Sequence, residues 1–121
     1  MTRSTASSRF GGSPAVRLTV LMSARDKAGH RSLVVELLRR AARARLAGAT
    51  VFEGASGYGS SGRIHRPHVM SNDRPLAAVF VDRPERIDRF LAEAADLLHD
   101  VLTIADEVEM VDFGESGFAD G

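Results

Sequence analysis

GYGSSGRIHRPHVMSNDR, residues 57–74, opens with three glycines in the spacing G-x-G-x-x-G. An apolar segment, ATVF (49–52), precedes it, and an acid, Asp82, lies twenty positions past the last glycine. In a dinucleotide-binding fold a helix starts at the third glycine and turns its N-terminal amides toward the pyrophosphate. Here RIHRPHVMSNDRP follows, with two prolines, an Asn-Asp pair and no helical periodicity. The fingerprint therefore fails on its context. No Gly-Lys-Ser/Thr follows the glycines, and Ser56 lacks the G-x-S-x-G frame of a nucleophile elbow. What remains is a long connection between two strands, and that reading orders everything around it.

Upstream, ATVFEGAS (49–56) is a strand candidate, and downstream PLAAVFVD (75–82) is a nearly all-apolar one, as a central strand would be. Further out, AVRLTVLM (15–22) alternates, with Val16, Leu18, Val20 and Met22 on one face. Residues 31–47 place Leu33, Val34, Leu37, Leu38, Ala41 and Ala42 on one helical stripe, with Arg39, Arg40 and Arg43 near the other side and Gly48 as a stop. Residues 83–100 predict a second helix with Ile87, Phe90, Leu91, Ala94, Leu97 and Leu98 inward, Pro84 in its first turn and Glu85 at the positive end of its dipole. A last strand falls within 101–113, centred on Glu107–Val111. The order is βαββαβ. It predicts an α+β, ferredoxin-like sandwich with a four-stranded antiparallel sheet and two helices on one face. The other sheet face keeps Ala15, Leu21, Ala77, Val79 and Val81, which predicts self-association. Residues 15–113 form the expected domain, between flexible tails at 1–14 and 114–121.

The bulk numbers agree with one small soluble domain: 121 residues, 44% hydrophobic, no Trp. Absence of Cys excludes disulfides and thiolate chemistry. No apolar run approaches the ~18 residues of a membrane span, and no secretory signal is read at the start, so a cytoplasmic protein without membrane insertion is expected. Net charge is zero but unevenly spread. Residues 1–75 carry 13 basic and 4 acidic side chains, and residues 76–121 carry 3 and 12. Opposite halves favour pairing with each other, and the balance speaks against nucleic acid as a partner.

The connection itself holds the candidate ligand-binding residues. Its glycines permit close backbone approach, and Arg63, His65, Arg66 and His68 make it cationic, with no acid between Glu53 and Asp73. Exposed amides and guanidiniums of this kind hold anionic oxygens, and a turn with solvated arginines is the alternative. His65 and His68, with Glu53 as a third donor, are the metal candidates for a metal-binding or metal-assisted protein, although an extended segment would put the two histidines on opposite faces. Arg25, Asp26, Lys27 and His30 read as a solvated loop, with a second polar site as the alternative, and His99 as a helix-end dipole partner.

The runs LAGATVFEGASGYGSSGRIH (46–65) and RPLAAVFVD (74–82) together resemble a family of small bacterial and archaeal proteins related to the PII signalling proteins. It is the domain of unknown function numbered one hundred and ninety, and the resemblance spans about residues 16–111. It implies a PII-like ferredoxin fold, a homotrimer with sheets facing inward, and a non-enzymatic regulatory role. Residues 57–74 would correspond to the partner-contacting PII loop. Gly57, Tyr58 and Gly59, with Ser60, Ser61, Arg63, His65 and Arg66, would then border a site for a small anionic effector such as an adenine nucleotide. Such families act on partners that include transporters, and members of this one are linked with fluoride channels. A purely structural interaction module is the remaining alternative. The chain departs from the PII proteins at LHDVLTIADE (98–107), which has neither the Lys nor the Gly of the PII phosphate loop, and Tyr58 stands at the loop base rather than at the modified PII tyrosine.

Overall fold

The computed structural model describes residues 8–55, 57, 58, 64, 65 and 74–111. Its elements are β1 (Ser13–Ser23), β2 (Lys27–Ala28), β3 (Arg31–Ser32), α1 (Leu33–Arg43), β4 (Gly48–Glu53), β5 (Gly57–Tyr58), β6 (Ile64–His65), β7 (Pro75–Asp82), α2 (Pro84–Glu93), α3 (Ala95–Leu98) and β8 (Leu102–Met110). The main sheet has the order β4-β7-β1-β8, and all its pairs are antiparallel. This is the ferredoxin-like order, with the two-residue ladders β2-β3 and β5-β6 added in the connections.

Pairing of Leu18 with Phe80 and of Val20 with Ala78 sets the register. Strand period two then sends Val16, Leu18, Val20, Met22, Ala78 and Phe80 to the helix side. There they meet Leu33, Leu37 and Ala41 of α1, Ile87 and Phe90 of α2, and Ala94 just after it, all buried. The Phe80 and Phe90 rings lie 5.2 Å apart and tilted by 43°. Each buried ring contributes roughly 1.5–3 kcal/mol of transfer free energy.

Both helices depart from the expected spans, for identifiable reasons. α1 stops at Arg43, before Gly48, in a Schellman motif: Leu46 N donates to Ala41 O at 3.2 Å and Arg45 N to Ala42 O at 3.1 Å. Arg45 takes the left-handed position with φ 55, where glycine is usual. Gly48 instead begins β4. The second helix divides at Ala94. The Arg40 guanidinium donates to the Glu93 carbonyl at 3.2 Å, and Leu97 N turns to Ala94 O at 2.9 Å. A continuous helix would have given the Glu93 carbonyl to Leu97 N. β8 is centred on Asp106, a little before the expected position.

The helix layer covers the inner strands β1 and β7 but leaves the sheet edges bare. On its own side of the sheet Ala49 of β4 and Ala105 and Glu107 of β8 are exposed. On the far face Phe52, Leu102 and Ile104 are 57%, 44% and 51% exposed, beside partly covered Leu21, Ala77, Val79 and Val81. Ala15, expected in that exposed set, is already buried within the subunit. Arg17 and Asp106 form a two-point ion pair on this face, with Nη2 to Oδ2 at 2.7 Å and Nε to Oδ1 at 3.2 Å.

Candidate functional site

Three connections meet at the end of the sheet where β1 finishes. The first is the β2-β3 hairpin. Asp26 organises its entry by accepting Ser23 N at 2.9 Å on its carboxylate and Leu33 N at 2.8 Å on its carbonyl, which satisfies the first amide of α1. Gly29, φ 64, is the first central residue of the two-residue turn, and His30 follows it. The second is the base of the β4–β7 connection. Gly54 N donates to Pro75 O at 2.8 Å, and Arg74 Nη1 donates to both Glu53 oxygens at 3.2 Å. Ala24 N donates to Arg74 O at 2.8 Å and joins the two connections. The third is the α3–β8 turn, where His99 Nδ1 lies 3.1 Å from Asp100 Oδ1.

Between the hairpin, α1 and the α3–β8 turn lies an open cavity of about 670 Å³, lined by Lys27, His30, Arg31, Arg39, His99 and Asp100 among others. Its electrostatics centre on Glu36, whose carboxylate receives Arg31 at 3.3 Å, Arg39 at 3.2 Å and Arg40 at 3.0 Å. Arg40 also makes a two-point contact to Asp96, at 2.7 and 3.1 Å. Bonds to Asp96 and then Glu36 raise the Arg40 pKa, and the same Arg40 bond holds Asp96 below the usual carboxylate range. Three guanidiniums share one carboxylate at the wall, and Lys27 makes no ion pair among the described residues. The wall therefore keeps donors to offer an anionic group.

Of the residues expected to bind ligand, Gly57 pairs with His65, and Tyr58 with Ile64, in the β5-β6 ladder. The strand register thus brings the two ends of the glycine-histidine segment together. Gly59, Ser60, Ser61, Arg63, Arg66 and His68 lie outside the described residues. Glu53, the proposed third metal donor, is engaged by Arg74. Among the described residues no three His, Asp or Glu side chains gather in a metal-holding group. Lys27 and His30 line the cavity rather than only facing solvent. The Glu36 hub was missed, although its (i, i+3) and (i, i+4) arginines at 39 and 40 were the available signal.

Asp82, the acid in fingerprint spacing, sits at the far end of the sheet and is 5% exposed. It accepts Ala47 N at 2.9 Å, Arg83 N at 2.7 Å and Arg86 Nε at 3.0 Å. Arg86 Nη2 then donates to the Ala44 and Arg45 carbonyls, each at 2.7 Å. Asp82 thus joins the end of α1 to the start of α2.

The model of the DUF190 family, described as Uncharacterized ACR, matches residues 15–110. A UPF0166 protein of Aquifex aeolicus is 35% identical over 77 residues, which are 62% of this chain and 72% of that protein. Among solved structures the chain is similar to CPII of Thiomonas intermedia K12, a nitrogen regulatory PII-like protein bound to ADP, AMP and bicarbonate. The TM-score is 0.58 at 19% identity, over 83% of this chain and 91% of that one. It is also similar to a putative PII-like signaling protein of Thermus thermophilus, with a TM-score of 0.60 at 15% identity, over 82% and 91%. At these identities the likeness speaks for the fold. No helix among the described residues is long and apolar enough to cross a membrane.

Proposed function

The chain belongs to the DUF190 family, and on that premise we propose that it is a non-enzymatic, PII-like trimeric regulator. It binds a small anionic effector at the loop end of the sheet and changes how the β4–β7 connection meets a partner protein, such as a transporter or channel. The observation that carries this reading is a cavity between the β2-β3 hairpin, α1 and the α3–β8 turn, with the hairpin's entry bonded through Ala24 N to Arg74 O at the base of the glycine loop. The β2-β3 hairpin, the pinned base of the glycine loop and the α3–β8 turn all share that end. A ligand held there by Lys27, His30 and Arg31 would lie where it could bias the loop carrying Gly57–Gly59, Ser60, Ser61, Arg63, His65 and Arg66.

Adenine nucleotides are the leading candidates, since CPII was crystallised with ADP and AMP. The cavity volume falls within the ~300–1,000 Å³ range of small-molecule sites. The apolar sheet face that carries Phe52, Leu102 and Ile104 supports association with further copies, and the trimer is the assembly that the PII resemblance implies. The test is a thermal-shift panel of ADP, AMP, ATP, bicarbonate, phosphate and fluoride, followed by calorimetry. Saturable binding that Lys27→Ala with Arg31→Ala weakens supports the reading. No shift and no heat with any of them at millimolar concentration would end it.

A further inference from the structure

A second concavity lies at the other end of α1, on the outer surface of the helix layer. It is a groove of about 250 Å³ between the C-terminal turn of α1 and the outer side of α2. Buried Phe90 and half-buried Leu46 supply apolar walls, and exposed Arg43 and Arg89 stand beside them. Two further arginines, Arg40 and Arg86, line the groove but are already committed, to Glu36 and Asp96 and to Asp82. Arg43 and Arg89 make no ion pair among the described residues. The one acid in the lining, Glu93, lies 3.7 Å from Arg40.

Size and shape narrow the occupant. The volume falls below the ~300 Å³ lower bound of small-molecule sites and suits one or two side chains. The apolar groups line a recess instead of projecting, which fits an inserted side chain better than a flat lipid surface. Two free guanidiniums beside an apolar recess complement carboxylates that flank an aliphatic side chain. Arg45 adds an independent observation. It holds a left-handed backbone, φ 55, that a non-glycine residue rarely adopts, and its exposed side chain leaves the turn that borders the groove. Strain of this kind persists where a side chain is needed.

We propose that the α1–α2 groove is a docking surface for an acidic peptide segment of a partner protein. One aliphatic side chain packs against Leu46 and Phe90, and flanking carboxylates pair with Arg43 and Arg89. The groove lies on the helix side, away from Phe52 and Ile104, so it stays open when sheet faces associate. The proposal does not depend on the effector reading.

The experiment uses the full chain and fluorescence anisotropy of a labelled peptide, EDELDE, against its amide counterpart QNQLNQ. The acidic peptide is expected to bind saturably and to weaken with added salt, while the amide peptide binds at least about tenfold less tightly. Arg43→Glu and Arg89→Glu should each weaken binding about fivefold or more, and Arg25→Glu, at the loop end, less than about twofold. Arg43→Gln and Arg89→Gln serve if the reversals unfold. Equal binding of both peptides, equal losses in all three variants, or association with phosphatidylserine vesicles but not with EDELDE would each overturn the proposal.

Discussion

Arg86 reaches Asp82 across one helical turn, Nε to Oδ2 at 3.0 Å, and its Nη2 donates to both the Ala44 and Arg45 carbonyls. One carboxylate and one guanidinium thereby close the corner between two helices and the sheet. Removing Asp82 leaves Ala47 N, Arg83 N and Arg86 Nε without their acceptor. Asp82→Ala is expected to cost about 2–3 kcal/mol, read as a lower midpoint in urea. Effector binding at the opposite end of the sheet should survive in the folded fraction. An unchanged midpoint would show that the corner holds without this pair.

Arg45→Gly should raise stability by about 0.5–1 kcal/mol, because glycine takes φ 55 freely and only part of that relief is lost to its greater unfolded entropy. In a domain of this size the gain appears as a rise of a few degrees in Tm. A fall in Tm would mean that the Arg45 side chain contributes more than its backbone costs.

The carboxylate of Glu109 receives the Ser8 hydroxyl and Gly12 N at 2.6 Å, with Arg9 N and Phe10 N nearby. The Ser8 hydroxyl bond is the largest cause that holds its pKa below the usual value; desolvation opposes it, and the Gly12, Arg9 and Phe10 amide bonds add to the lowering. A depressed folded pKa stabilises above the ordinary carboxylate range and is lost as pH falls through the folded value. The protection factors of the Arg9, Phe10 and Gly12 amides, corrected for intrinsic exchange, should therefore fall selectively once pH drops below the ordinary carboxylate range. Glu109→Gln should show quick exchange already at neutral pH. Equal protection in the two proteins at neutral pH would sink the assignment.

A cation placed on the open sheet face tests assembly. Ile104→Lys leaves the helix-side core untouched but puts an ammonium among Phe52, Val79 and Leu102. The parent is expected to sediment as a trimer and the variant as a monomer. A parent that is monomeric at micromolar concentration would rule out the trimer.

The strands were readable because each carries its signal, alternation or an apolar run, within its own residues. Val16, Leu18, Val20 and Met22 declare β1 without help, and PLAAVFVD matches β7 at both ends. Pro84 likewise marks the start of α2. The helix ends were not readable, since their causes are distant or unusual. The break at Ala94 depends on Arg40, far away in the chain, and the end of α1 uses an arginine where glycine was the visible cue. SSRFGG (7–12) reads as tail because the carboxylate that gathers Ser8 to Gly12 lies in β8. At the site, the glycines and histidines announced a loop, whereas the cavity wall needed the fold to bring Lys27 and Arg31 opposite His99.

The base of the glycine loop has a consequence for how such chains diversify. Glu53 with Arg74, and Gly54 with Pro75, close the stem before the β5-β6 ladder begins. Once a stem is closed, doubling the enclosed length costs only about 0.6 kcal/mol. The segment between these latches is therefore a replaceable cassette, able to lengthen, shorten or change its chemistry while the sheet beneath keeps its register.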